Sequence, residues 1–571
     1  MEDTNYWRRN NRRISRRSLL GGAATLGLGG AAAMIVGCGG SSNDTNSSTG
    51  PTGTRAPVGS PKAGGSVTQG RPLTVLGIDP HQDLTGLDID QLIYPYLYSW
   101  NPVQNVAYFN NLAESIEQPD PDLTQFIFHI RKGVKNAPFN FAGAGEEMTS
   151  EDVKASFVRR GTSISAPDKR FPRLISKDPT MLAAAFQTPD PYTFSFKMAT
   201  TFVPALREMA NPTWAMVSKK VLEALGNRSL TQVGYGAGPY MVDQFNGNQR
   251  ISLKKNPNYF IPGQPLLDEI DIVVITENSS LLSAFKQGQH DICGAVLKKD
   301  EFDDFSANSD YICSSAPSLF YPCVHMKMVP PFDDIRVREA LDISIDRDEV
   351  IAVIDGGDGK YNGPIQWPQL EWALPQDELK AFYKYDPEKA KQLLTQAGYD
   401  GGFKTKMKLP KITGVSQIAD EAALLKSQWA KVGIQVDLEE VELGTFIGSV
   451  LLPGNFQMTF FPNLPYDEPD RPLSFYSSLG VTGAGNWNNY TNPDFDLLYN
   501  KQAQTVDKTE RQSIILEAQR LIIKEHAPQL TITGGNAYSA HWNYVHLPYE
   551  LGQDPGTKIN PYGCDEWTEK A

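Results

Sequence analysis

The chain has 571 residues, with 53 lysines and arginines against 66 aspartates and glutamates, a formal charge of −13. At roughly 150 residues per domain it holds two or three domains, and so acidic a surface repels phosphate backbones, which argues against nucleic acid as a partner. An apolar fraction of 40%, 10% aromatics and 40 prolines exclude wholesale disorder and describe a folded protein with many loops.

Residues 1–37 differ in composition from the rest of the chain. Arg8, Arg9, Arg12, Arg13, Arg16 and Arg17 stand there against Glu2 and Asp3, with no lysine. From Leu19 to Val36 the chain is uncharged, but repeated glycines such as Gly21, Gly22 and Gly27 leave it softer than a permanent membrane span. The run Ser15-Arg16-Arg17-Ser18-Leu19-Leu20-Gly21 resembles a twin-arginine export signal. Ile35-Val36-Gly37-Cys38, directly after the apolar run, resembles a bacterial lipobox, in which the cysteine is acylated and becomes the new N-terminus. These resemblances imply a signal peptide over 1–37, a lipid on Cys38, and an extracytoplasmic protein anchored in the periplasm or at the outer face of the cytoplasmic membrane. Residues 38–63 are rich in Gly, Ser, Thr and Pro and lack the apolar area that offsets ordering entropy. They read as a flexible linker, and ~25 such residues reach about 25–30 Å.

Further along, Ser66–Gln69 and Leu73–Leu76 read as a pair of short strands, since apolar and β-branched residues alternate beside glycine. Tyr94-Pro-Tyr-Leu-Tyr98 reads as the end of a helix and Phe126-Ile-Phe-His-Ile130 as a strand. Thr149-Ser-Glu-Asp152 has capping-box spacing ahead of Val153 and Phe157, which predicts a helix start. Asp386-Pro387-Glu388 supplies an N-cap acceptor and a proline at the first helical position, and Ala390, Leu393, Leu394 and Ala397 form one apolar face before Gly398. A helical run over 422–432 followed by the alternating Gly433–Leu438 predicts helix then strand. Interleaved helices and strands point to α/β domains, and no period of 20–50 residues repeats.

The chemistry of catalysis leaves no signature. Seven histidines are scattered, with no His-Glu-x-x-His or Cys-x-x-Cys spacing, so no metal site or cofactor is signalled. No Gly-x-Ser-x-Gly elbow occurs, and Gly356-Gly-Asp-Gly-Lys360 lacks the spacing of a phosphate loop. Asp333-Asp334 is explained as a helix N-cap before Ile335. Cys293, Cys313, Cys323 and Cys564 allow three connectivities outside the cytoplasm. A Cys313–Cys323 bridge suits that compartment, whereas folding before twin-arginine export, in a reducing cytosol, argues against it.

Eleven segments carry a family resemblance. They are Asn111-Leu-Ala-Glu-Ser115, Phe128-His-Ile-Arg-Lys-Gly133, Ser150-Glu-Asp-Val153, Gly236-Ala-Gly-Pro-Tyr240, Lys255-Asn-Pro-Asn-Tyr259, Leu267-Asp-Glu-Ile-Asp271, Gly288-Gln-His-Asp-Ile292, Pro331 to Ala340, Ile345-Asp-Arg347, Tyr385 to Ala390 and Asn492-Pro-Asp-Phe-Asp496. In this order, over about residues 66–535, the chain resembles the solute-binding proteins of ABC importers typified by oligopeptide- and dipeptide-binding proteins. The resemblance implies a two-lobed α/β periplasmic-binding-protein-like fold (class II) with an extra subdomain inserted in the first lobe. It divides the chain into lobe I at 64–100, 221–320 and 531–571, the inserted subdomain at 101–220, and lobe II at 321–530, with crossings near Ser318–Met328 and Leu530–Tyr538. A solute, first of all a peptide, is enclosed between the lobes and handed to a membrane permease by a monomeric receptor.

The resemblance also directs attention to Phe461-Pro-Asn-Leu-Pro-Tyr-Asp-Glu-Pro-Asp470. In peptide-binding members an aspartate just upstream of an Asp-Pro-Asp-like stretch pairs with the ligand's α-ammonium group, and the register that aligns Glu468-Pro-Asp470 puts Pro465 there. Asp467 or Asp470 is then the candidate charge partner, with Tyr466 beside it, and Trp367 and Trp487 are candidate aromatic contacts in loop-like segments. A sugar, a nickel chelate or another small solute stays open, as do a sensor on the same fold and a secreted hydrolase, for which no nucleophile–base set is found.

Overall fold

The structure is a computed structural model that describes residues 60–570 apart from 84, 102–105, 109–110, 139–144, 163–174, 177–178, 227–233, 319–320, 368, 370, 412–416, 464–467, 479–484 and 548–566. Two β-sheets carry the two lobes. In the first, Ser66–Arg71 pairs in parallel with Glu269–Val274, which pairs antiparallel with Arg250–Lys255, itself antiparallel to Tyr240–Asn246. Tyr311–Pro317 and Asn536–Trp542 form an antiparallel ribbon, and Ile292 bridges it to the sheet by touching both Gln69 and His541. Leu73–Leu76 does not form the second strand that its alternation predicts. Val75 donates one hydrogen bond to the Gly247 carbonyl (2.9 Å), just past the end of Tyr240–Asn246, and Leu76 is 51% exposed; among the described residues the pairing goes no further. The helix before the Tyr94–Tyr98 run covers Leu87–Ile93 and ends immediately before it, with Tyr94 extended at the C-cap. Gly236 and Gly238 lie against the backbone at this helix end; a Cβ on Gly238 would sit 2.5 Å from the Ile93 carbonyl carbon.

A separate antiparallel sheet orders Ala113–Glu117, Gln125–Ile130, Thr193–Lys197 and Gln187–Asp190. The period-2 pattern of Gln125–Ile130 places Phe126 and Phe128 on the buried face, where they meet Phe194, Phe196 and Phe157. Phe126 and Phe196 stack at 5.1 Å, and Phe157 lies 4.8 Å from Phe194. Phe157 belongs to the helix Ser150–Thr162, where the Asp152 carboxylate reaches back to accept from the Thr149 N–H (2.7 Å) and hydroxyl (3.1 Å).

The second lobe is built on a five-stranded sheet in the order Ile434–Glu442, Phe403–Lys411, Met458–Asn463, Tyr321–Met326, Gln529–Thr531. The first three run parallel to one another, and Tyr321–Met326 is antiparallel to both of its neighbours. Helices Ile335–Ile343, Pro387–Gln396 and Gln417–Ala430 cover one face and bury Val337, Leu341, Leu394, Leu425 and Trp429 against Val324 and Met458. The expected caps are in place: Asp334 accepts from Arg336 N–H (2.8 Å) and Asp386 from Lys389 N–H (2.9 Å). Among the described residues the chain passes from one sheet to the other after Pro317 and back before Asn536. Cys313 and Cys323 are reduced thiols, as is Cys293; the first lies opposite Ala540 in one lobe and the second opposite Phe461 in the other, which is why they do not bridge. Cys564 lies outside the described residues.

Candidate functional site

The return passage between the lobes carries Gly534 and Gly535, and both are needed for close approach. A Cβ on Gly534 would lie 2.6 Å from Asn362 Nδ2, and one on Gly535 would lie 2.9 Å from Asp355 Oδ1. Backbone pairing ties this passage to the loop at 360–369: Tyr361 faces Thr533, Asn362 N–H donates to Ile532 O (3.2 Å), and Thr531 Oγ1 donates to Asn362 O (2.8 Å). On this platform Trp367 is held at both ends. Its backbone N–H donates to Asn362 Oδ1 (3.0 Å) and its indole Nε1 donates to Gly534 O (2.8 Å), leaving the ring half-buried beside the crossing. Asp355 lies beneath; burial pushes its carboxyl up to about 6 against the hydrogen bond of Thr533. Glu421, on the helix Gln417–Ala430, is also buried, and burial followed by the Asp355 charge raises its carboxyl well above the usual range. Asp355 Oδ2, Asn362 Nδ2 and Glu421 Oε1 have no hydrogen-bond partner among the described residues.

In the 461–470 stretch, Tyr466 and Asp467 lie outside the described residues, whereas Glu468 and Asp470 are described and buried. Their carboxylates turn into the second lobe. Asp470 accepts from Gln502 Nε2 (2.5 Å) and Tyr499 Oη (3.3 Å), and Glu468 pairs with Arg511. Arg511 also donates through Nη2 to Gln502 Oε1 (3.0 Å) and through Nε to Gln502 O (3.2 Å), so one buried hub fixes the downstream end of this loop. Asp470 therefore serves as a loop anchor. Trp487 packs within the second lobe, stacked on Phe475 at 5.6 Å and edge-on to His325 at 6.0 Å, while its carbonyl accepts from Lys327 Nζ (2.8 Å). Burial lowers the His325 ring to about 3, so that ring is neutral. Among the described residues no ring contact joins Trp367 to Trp487.

The sequence profile of the bacterial extracellular solute-binding proteins, family 5 (Middle), matches residues 107–486, two thirds of the chain. The chain belongs to that family. As a family 5 protein it is an extracytoplasmic solute binder of an ABC transport system, and the two sheets joined by two passages are its two lobes. A curated relative, di/tripeptide-binding protein 1 of Pseudomonas aeruginosa (strain UCBPP-PA14), is 24% identical over 515 residues, which cover 86% of this chain and 91% of that one. Among solved structures, the periplasmic binding protein DppA of Helicobacter pylori in complex with the peptide STSA superposes with a TM-score of 0.76 at 23% identity, covering 89% of this chain and 99% of that one. AgaA of A. tumefaciens R10, in complex with agropinic acid, gives 0.75 at 22% identity, with coverages of 89% and 99%.

Arg16, Arg17 and Cys38 lie outside the described residues. Among those described, no helix is long and apolar enough to cross a membrane and no group of three or more His, Cys, Asp or Glu could hold a metal ion. Sequence reasoning missed Asp355, Asn362 and Glu421. The doublet Gly534-Gly535 inside a β-rich segment was the available signal, since adjacent glycines in a strand mark close approach of another group.

Proposed function

We propose that this family 5 protein is a lipid-anchored receptor that encloses a peptide between its lobes and delivers it to an ABC permease. Binding, closure and release replace any covalent step, and the receptor acts as a monomer. The observation that carries the peptide reading is the near full-length likeness to a di/tripeptide-binding relative, supported by the fold shared with a peptide-bound structure. In this reading Trp367 offers its ring to the solute from the crossing, and Tyr466 and Asp467 are further solute contacts. Asp467 is the partner for a cationic end of the solute; Trp487 supports the wall of the second lobe.

Mass spectrometry of solute released by denaturing protein purified from its native host tests the class, followed by calorimetric titration with the solute found. Peptides in the released fraction support the reading, and a homogeneous non-peptide solute refutes it. The second reading is such a solute, favoured by the AgaA likeness and by Pro465 standing at the ammonium-binding register. With the solute in hand, Asp467→Asn is expected to weaken binding by about 2–5 kcal/mol; an affinity within threefold of wild type removes Asp467 from the site. For the anchor, Cys38→Ser is expected to move the protein from the membrane fraction to the soluble one or leave a precursor. Paired Arg16→Lys and Arg17→Lys keep the charge while removing the guanidinium pair that a twin-arginine receptor reads, so export should stop.

A further inference from the structure

The helix Pro493–Gln504 belongs to the second lobe for most of its length: Phe495 and Tyr499 pack there with Ile515, Ala518 and Ile522. Its end does not. Ala503, 1% exposed, lies in the core of the inserted sheet with Phe202, Val203 and Leu206, and Val506 packs against the same cluster. The last carbonyls of a helix have no intrahelical donor, and here the carbonyl of Ala503 accepts from the backbone N–H of Val203 (2.7 Å), a residue of the inserted subdomain. One helix of the second lobe is thus capped by the inserted subdomain, at a contact separate from the Gly534-Gly535 crossing.

The residue before the contact gives it a second property. Gln502 is the centre of the buried hub, with its amide nitrogen on Asp470 and its two oxygens taking Arg511, which also pairs with Glu468. From the end of the 461–470 stretch to the first lobe the path is Asp470, Gln502, Ala503, Val203, each step a hydrogen bond or a peptide bond. We propose that Val203 and Ala503 form the latch that holds the lobes closed, and that the Glu468–Arg511–Gln502–Asp470 hub couples the position of residues 468–470 to that latch. Ala503 suits the role because its small side chain packs in the same buried cluster as Phe202, Val203 and Leu206. Gln502 and Asp470 are positioning residues: they act on the solute through closure.

The test uses the mature chain without any solute, so it stands or falls independently of the peptide assignment. In Val203→Cys/Ala503→Cys, mild oxidation with copper phenanthroline is expected to form an intramolecular disulfide at least tenfold faster than in Val203→Cys/Leu497→Cys, whose second site is 69% exposed on the same helix. Val203→Cys alone reports any background with the native thiols. Equal rates in the two pairs overturn the latch. Adding the isosteric Asp470→Asn, or Glu468→Gln as an independent route to the hub, to the fast pair is expected to slow cross-linking at least threefold, with the circular dichroism melt checking that each variant is folded at the assay temperature. An unchanged rate in both folded variants overturns the coupling.

Discussion

Asp355 offers a way to test whether the crossing is as tightly closed as its geometry requires. Its carboxyl is pushed from 3.8 up to about 6 by burial, and each pH interval of one corresponds to about 1.4 kcal/mol, so ionising it in the folded protein costs about 3 kcal/mol relative to the unfolded chain. Because the folded pKa is the higher of the two, the cost is absent below about pH 4, where both states are protonated. It grows as pH rises and is complete above about pH 6, so this group lowers stability as the solution becomes neutral. Asp355→Asn keeps an oxygen for Thr533 and adds no bulk toward Gly535 while removing the titration. It also removes the charge that helps raise Glu421, whose ionisation then becomes easier in the same direction. Urea unfolding of wild type and variant at pH 4.5, 6 and 8 should show the variant gaining about 1–3 kcal/mol on wild type between the first and last pH. A stability difference that stays constant within about 0.5 kcal/mol across that range would refute the burial argument and with it the close seat of Gly535 on Asp355.

Glu468→Gln leaves the guanidinium of Arg511 without its buried carboxylate and should destabilise the second lobe by about 2–4 kcal/mol, seen as a lower melting temperature; a change under about 1 kcal/mol would mean that Gln502 and the Trp372 ring, 5.2 Å from Arg511, satisfy the cation alone. Gly238→Ala drives a methyl into the Ile93 carbonyl, where backbone cannot yield, and soluble folded protein is expected to fall sharply; wild-type yield and melting would contradict the contact. Trp367→Phe removes only the indole hydrogen bond to Gly534 and should cost about 1 kcal/mol of stability, together with a several-fold loss of affinity for the identified solute; unaltered affinity would place the ring outside the solute's reach.

The local rules were legible where the partners are close in sequence. The N-caps at Asp334 and Asp386, the turn of apolar residues from Ala390 to Leu394 and the alternation at Gln125–Ile130 each depend on neighbours within a few residues, and all appear as read. The order of the eleven segments then identified the family. Leu73–Leu76 has the pattern of a strand and is not one, because its backbone bond to Gly247, just past the end of Tyr240–Asn246, is not continued into a ladder among the described residues. The acidic stretch at 467–470 looked like one charged patch. Folding divides it, since Glu468 finds its cation 43 residues away on Arg511 and Asp470 is claimed by Gln502.

The motif order by itself determined that this is a solute binder of two lobes, and the composition of residues 1–63 carries the reading of an exported, tethered chain. Which carboxylates face inward, where Trp367 is pinned, and how the end of one helix is capped by the opposite lobe were decided only by tertiary structure. Trp367 lies 167 residues from the carbonyl it bonds, and Val203 and Ala503 are separated by most of two lobes. Sequence spacing carries no information at that range, because the pairing is set by which surfaces the two sheets bring together once their cores are buried.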